Sequence, residues 1–161
     1  MKQRKIQFLV LTAFSSIGGI EKFNRAFIKA LVQLQIPMNS SVSISGLYDH
    51  TSDDAYVPSQ YFQPYFGKRM KFVLQTFLQA LKTDELIIGH INLALVGVLF
   101  KMFQPQKKLT VICHGIEVFE PVSGIKKKLL QKADQLLAVS SFTIVFFLFH
   151  SLVQTLQYHD R

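Results

Sequence analysis

Lys5-Ile-Gln-Phe-Leu-Val-Leu-Thr-Ala-Phe-Ser-Ser-Ile-Gly-Gly-Ile-Glu21 is the stretch on which the fold turns. Its first half, Lys5 to Thr12, is an apolar run of strand length, as expected for a parallel strand covered on both faces. Gly18 and Gly19 come next, and behind them Ile20, Phe23, Phe27, Leu31 and Leu34 recur at helical spacing. Glu21, Arg25, Lys29 and Gln33 take the other face of that helix, which Pro37 closes. Strand, glycine turn and helix start in this order are how open α/β sheets build a site for an anionic or sugar-phosphate group. Without a Cβ the two glycines can take positive φ and admit a ligand close to the backbone, while the helix start presents unpaired N–H groups. Taken alone, such a pair more often marks a tight βα connection than a ligand site.

Outward from this unit the alternation continues. Ser41 to Leu47, with its β-branched residues, reads as a second strand, and Tyr48 to Gly67, rich in proline, aspartate and aromatics without period, reads as a long loop. Loops of that length inside a compact domain are usually functional, so this one is expected to touch substrate or act as a lid. Lys68 to Leu81 is an amphipathic helix, Leu86 to Ile88 a short buried strand, and Asn92 to Phe103 an apolar helix. Leu109 to Cys113 is a strand, Ser123 to Lys132 a basic helix and Leu136 to Val139 a last strand. The order βαβαβαβ predicts an α/β fold, a Rossmann-like doubly wound parallel sheet.

The 161 residues fit one domain with a real core, and an apolar fraction of 49% argues against disorder. A net charge of +8 favours an anionic partner. The cations fall in small groups, at Lys2 to Lys5, Lys68 to Lys71, Lys107 to Lys108 and Lys126 to Lys128, and no nucleic-acid-binding motif accompanies them, so nucleic acid is not the expected partner. A single cysteine, Cys113, excludes an intrachain disulfide framework and points to a reducing, cytoplasmic compartment. The basic start and apolar Ile6 to Phe14 resemble a signal peptide only superficially, because a glycine turn and a helix follow with no clear cleavage site.

In an open α/β sheet, ligands collect beyond the carboxyl ends of the strands. Ser15, Ser16, Gly18 and Gly19 follow the first strand, His90 and Asn92 the third, His114, Gly115 and Glu117 the fourth, and Ser140 and Ser141 the last. Each has a bland explanation alone, since histidine and serine cap helices and glutamate complements a helix dipole. Their coincidence at four strand ends favours one shared crevice. The five histidines lack metal-ligand spacing, so no catalytic metal is expected. Cys113 and His114 are strand neighbours with opposite directions, so Cys113 is assigned to the core. Nucleoside-triphosphate loops and hydrolase elbows have no counterpart in the chain.

Three segments together are similar to successive motifs of the N-terminal domain of family 4 glycosyltransferases: Phe14-Ser-Ser-Ile-Gly-Gly-Ile-Glu21, Ile112-Cys-His-Gly-Ile-Glu117 and Ala133-Asp-Gln-Leu-Leu-Ala-Val-Ser-Ser-Phe-Thr143. The resemblance implies the N-terminal half of a GT-B enzyme, which holds the acceptor while a second domain binds the nucleotide-sugar. It also implies retaining transfer without a required metal or resident cofactor. By resemblance Gly18 and Gly19 line the cleft, His114 sits beside the transferred sugar, and His90, Asn92, Gly115, Glu117, Ser140 and Ser141 belong to the same substrate-binding rim.

The family's E-x(7)-E glutamates belong to the donor-binding half, and nothing in this sequence matches them. Residues 1–143 are therefore read as the family 4-like domain and 144–161 as an apolar, diverged or frame-shifted tail. Counted back to Leu136, the tail lies near the lower limit for a membrane span, roughly 17 residues, but Ser140, Ser141 and Thr143 interrupt it. The expected activity is that of an acceptor-side domain, inactive without a C-terminal donor-binding chain, for a glycan or lipid-linked acceptor. The alternative is a non-catalytic basic protein that binds anions or the inner face of the membrane.

Overall fold

The computed structural model describes residues 2–115, 122 and 124–139. Six parallel strands form one sheet: β1 (Arg4–Val10), β2 (Ser40–Gly46), β3 (Phe62–Pro64), β4 (Glu85–Ile88), β5 (Lys108–Cys113) and β6 (Gln135–Ala138). Their spatial order is β3-β2-β1-β4-β5-β6. The side on which successive strands are added reverses between β1 and β4, and Phe8 stands opposite Ile44 on one side and Ile87 on the other. That reversal opens a crevice beyond the carboxyl ends of β1 and β4.

Helices cover both faces, as buried parallel strands require. Ile6, Phe8 and Val10 of β1 point to one face, where α1 (Gly19–Leu34) packs Phe23, Phe27 and Ile28 on them. Leu9 points to the other face, covered by α2 (Arg69–Ala80), α3 (Ala94–Phe103) and α4 (Gly124–Lys132) through Phe72, Phe100 and Leu129. Phe8 and Leu9 are both fully buried, each worth about 1.5–3 kcal/mol by removal from water. A Cβ on Gly97 of α3 would run into the Leu129 side chain of α4 and come within 3.3 Å of Ile88, so this glycine sets how closely α3 lies on α4 and the sheet.

Two clips fix the amino-terminal edge of the sheet. Asp84 accepts the Lys5 N–H at 2.9 Å, and that bond, helped by nearby lysines, holds its carboxyl below the usual range. Burial works against ionisation of Asp134, but the Leu109 N–H at 2.7 Å and the Lys101 ammonium at 3.0 Å outweigh it and lower its pKa. Between them, buried Glu85 binds Arg4 at 2.7 Å and accepts the Thr110 hydroxyl at 2.9 Å.

The predicted elements are present with small shifts of boundary, and three expectations change. The long loop of residues 48–67 contains a one-turn 3-10 helix, Ser59–Tyr61, and the edge strand β3, whose three residues pair with β2. A strand so short leaves little periodicity to read. The helix expected from Asn92 begins with a 3-10 turn, Ile91–Leu93, before α3. On α1 the buried centre is Asn24 and Ile28, while Leu34 is 46% exposed. The 144–161 tail lies outside the described residues. Among the described residues no helix is long and apolar enough to cross a membrane.

Candidate functional site

The loop from β1 to α1 is held by a carboxylate from the next strand end. Asp49, fully buried just beyond β2, accepts the Thr12 hydroxyl at 3.0 Å and the backbone N–H groups of Ala13 at 2.9 Å, Phe14 at 2.8 Å and Ser15 at 2.9 Å. Gly46 leaves the room for it, because a Cβ there would strike the Asp49 carboxylate. From α1, Asn24 Nδ2 donates to the Thr12 carbonyl at 2.9 Å and Arg25 Nη1 to the Ala13 carbonyl at 2.7 Å. Arg25 is thus a loop tether, where helical spacing had put it on the free face. The loop amides nearest β1 are already taken by a protein anion, so an incoming anion must use the crest beyond them.

At that crest the expected positive φ of the glycine pair is not found. Gly18 is the N-cap of α1 with φ −172° and ψ 179°, extended backbone open to any residue, and neither glycine is left-handed. The helix start is served instead by Glu21 at its third position, which accepts the Ser16 hydroxyl at 3.1 Å and folds against Gly18. A Cβ on Gly19 would meet nothing within 4 Å. The protein's own packing makes no demand for glycine there, and its backbone faces open space.

His90, Gly89, His114 and Gly115 converge where β4 and β5 end. His90 caps the 3-10 turn, its Nδ1 accepting the Asn92 N–H at 3.1 Å. His114 Nε2 lies 2.9 Å from the Gly89 carbonyl. A carbonyl only accepts, so that nitrogen carries the proton and Nδ1 is the other edge of the ring. The two imidazole centroids are 6.3 Å apart, and Phe23 of α1 meets His114 edge-on at 5.4 Å. Gly89 lets the end of β4 lie close against β1, since a Cβ would sit 2.8 Å from the Leu9 carbonyl. Gly115, buried with φ 104°, is the one member of the predicted set whose backbone requires glycine. Cys113 is buried among the residues facing α2 to α4, and His114 contacts α1, the opposite directions expected of strand neighbours.

Asn92 is exposed and belongs to a different part of the same edge. It lines a cavity of about 540 Å³ between the ends of β1 and β2 and the starts of α2 and α3, together with Leu11, Tyr48, Arg69, Phe72 and Leu95. Glu117, Ser140 and Ser141 lie outside the described residues. No cluster of histidine, cysteine, aspartate or glutamate suited to a metal ion occurs among the described residues.

Sequence reading missed Asp49, Tyr48 and Arg69. The signal for the first two was present: inspection of the residues just beyond each strand, applied to β2, leads straight to Tyr48-Asp49-His50.

The strand order defines a Rossmann-like α/β unit, a parallel sheet with its switch point between β1 and β4, of the kind found in GT-B glycosyltransferases. Solved structures share this fold. The chain is similar to the lipopolysaccharide outer core galactosyltransferase WaaB in its apo form, with 16% identity and a TM-score of 0.57 over 89% of this chain and 42% of that one. It is also similar to an alpha-glucosyltransferase in complex with UDP and a 13-mer DNA containing an HMU base, with 12% identity and a TM-score of 0.55 over 85% of this chain and 38% of that one. The chain therefore spans about two fifths of these glycosyltransferases. No protein-family model matches it, and no curated protein matches it in sequence.

Proposed function

We propose that this chain is the acceptor-side half of a retaining glycosyltransferase of the family 4 type, moving a sugar from a nucleotide-sugar to a glycan or lipid-linked acceptor. The observation that carries the reading is the rim itself: His114, oriented by the Gly89 carbonyl and Phe23, stands at the carboxyl edge of a sheet whose fold is shared with glycosyltransferases. In the reaction the bond from the sugar's anomeric carbon to the diphosphate breaks, the acceptor oxygen bonds to that carbon, and the acceptor's proton leaves with the diphosphate. His114 holds a hydroxyl of the transferring sugar, and the open backbone at Gly19, next to Gly18 with Glu21 folded against it, admits the donor phosphates or the acceptor. Stabilising the departing diphosphate needs groups from both sides of a cleft. The opposite side comes from a C-terminal donor-binding domain, without which this half is inactive. A panel of nucleotide-sugars, assayed for transfer with and without the product of the neighbouring gene, tests this.

One observation favours a second reading, a non-catalytic protein held on an anionic membrane surface. Met70, Leu74 and Leu78 form an exposed apolar stripe along α2 beside Lys68, Arg69 and Lys71. Flotation with anionic liposomes separates the two readings: salt-sensitive binding without any sugar transfer in the panel assay supports the second.

A further inference from the structure

The cavity between the starts of α2 and α3 has an interior ill suited to a free sugar. Its deep wall is Leu11, Leu47, Phe72, Val73, Leu93 and Val96, against which glycan hydroxyls would lose water without finding partners. Its volume of about 540 Å³ is that of a small-molecule site. At the mouth, Met70 stays 83% exposed and Leu95 44% exposed, large apolar groups left in water beside an apolar hollow.

A cation stands at the same mouth. Arg69 Nη2 donates to the Tyr48 hydroxyl at 2.8 Å, and the guanidinium lies 5.8 Å from the centroid of that ring. Both contacts orient the charge without neutralising it, and Arg69 has no carboxylate partner among the described residues. Lys68 and Lys71 flank it, and the first turn of α2 contains no acidic residue. Three cations at the positive end of a helix dipole oppose the helix, and they suit an anion.

We propose that this cavity binds an anionic amphiphile, its hydrocarbon chain against the apolar wall and its phosphate or carboxylate head at Arg69. The assignment rests on the glycosyltransferase reading in one respect: there the amphiphile is the lipid-linked acceptor, presented past Asn92 toward His90 and His114. Whether the chain binds such a molecule is independent of whether sugar is transferred.

The test is isothermal titration calorimetry on the 161-residue chain with dodecyl phosphate below its micellar concentration, dodecyl maltoside as neutral analogue and inorganic phosphate as the free anion. Dodecyl phosphate binds at one site, at least about tenfold more tightly than the maltoside, as one charge-assisted contact allows. Inorganic phosphate alone gives no measurable heat. Arg69→Gln removes most of the preference for the phosphate, and Leu95→Trp, which fills the mouth from an exposed position, weakens both amphiphiles. Leu78→Gln, on the exposed stripe outside the cavity, changes neither, and circular dichroism verifies that each variant is folded. Absence of binding, equal affinity for the neutral analogue, tight binding of phosphate alone, full binding by Leu95→Trp, or loss on Leu78→Gln overturns the proposal. Sugar transfer is not read in this experiment, so the cavity's ligand and the transfer reaction fail or stand separately.

Discussion

Asp49 gives the rim its shape by doing for the β1–α1 loop what a bound anion does elsewhere, gathering three consecutive N–H groups and a hydroxyl around one buried carboxylate. Asp49→Ala leaves the buried Ala13 N–H without a partner and the half-buried Thr12 and Phe14 donors dependent on water, and chemical denaturation should show a loss of about 3 kcal/mol, the cost of a few unmade bonds to a charged group. Gly89 is the second sensitive position. A methyl there presses on the Leu9 carbonyl and the Phe8 ring, so Gly89→Ala should cost about 1–3 kcal/mol in the same measurement. Gly19→Ala should leave stability within about 0.5 kcal/mol, because its Cβ would enter open space. The same contrast separates the residues that sequence reveals from those it hides. The positions of His90, His114 and Gly115 beyond β4 and β5 were legible because strand ends announce themselves in sequence. The extended backbone of Gly18 was not, since Glu21 folding against it is a contact that helical spacing does not show.

Among the elements, β1, β4 and β5 were legible because strands buried on both faces read as mostly apolar runs, interrupted here only by Gln7 and Thr110 inside them. The edge strand β3 has three residues and gains its identity from pairing with β2, a contact that no local pattern encodes. The amphipathic face of α1 was read nearly a quarter-turn off because Asn24, polar yet buried, is held inward by the Thr12 carbonyl. At this scale the clips of Asp84 on β1 and Asp134 on β5 make a prediction with a definite sign. Both folded pKa values lie below the ordinary carboxylate value, so both contributions are complete above that value. They are lost as pH falls through the lowered folded values. Denaturation midpoints followed from pH 7 to pH 3 should therefore drop, and Asp84→Asn with Asp134→Asn should flatten that drop while lowering the midpoint at pH 7.

For the whole molecule, a sheet with helices on both faces carries the loop, the histidine pair and the apolar cavity along its carboxyl edge. Its α/β class followed from alternation alone, and its glycosyltransferase likeness followed from three motifs that the fold comparison supports at the level of architecture. The central claim is that this edge is one wall of a sugar-transfer cleft. Its most direct test is transfer of labelled sugar from a nucleotide-sugar panel to a lipid-linked acceptor, by these 161 residues alone and paired with a C-terminal donor-binding domain, in the same chain or as the neighbouring gene's product. The account predicts no transfer by the chain alone, transfer by the pair, and about a 100-fold loss in the pair on His114→Ala, the size expected for one group holding a sugar hydroxyl in the transition state. Transfer by the isolated chain at an ordinary enzymatic rate, about 1 per second or more, or an undiminished rate in His114→Ala, would contradict it.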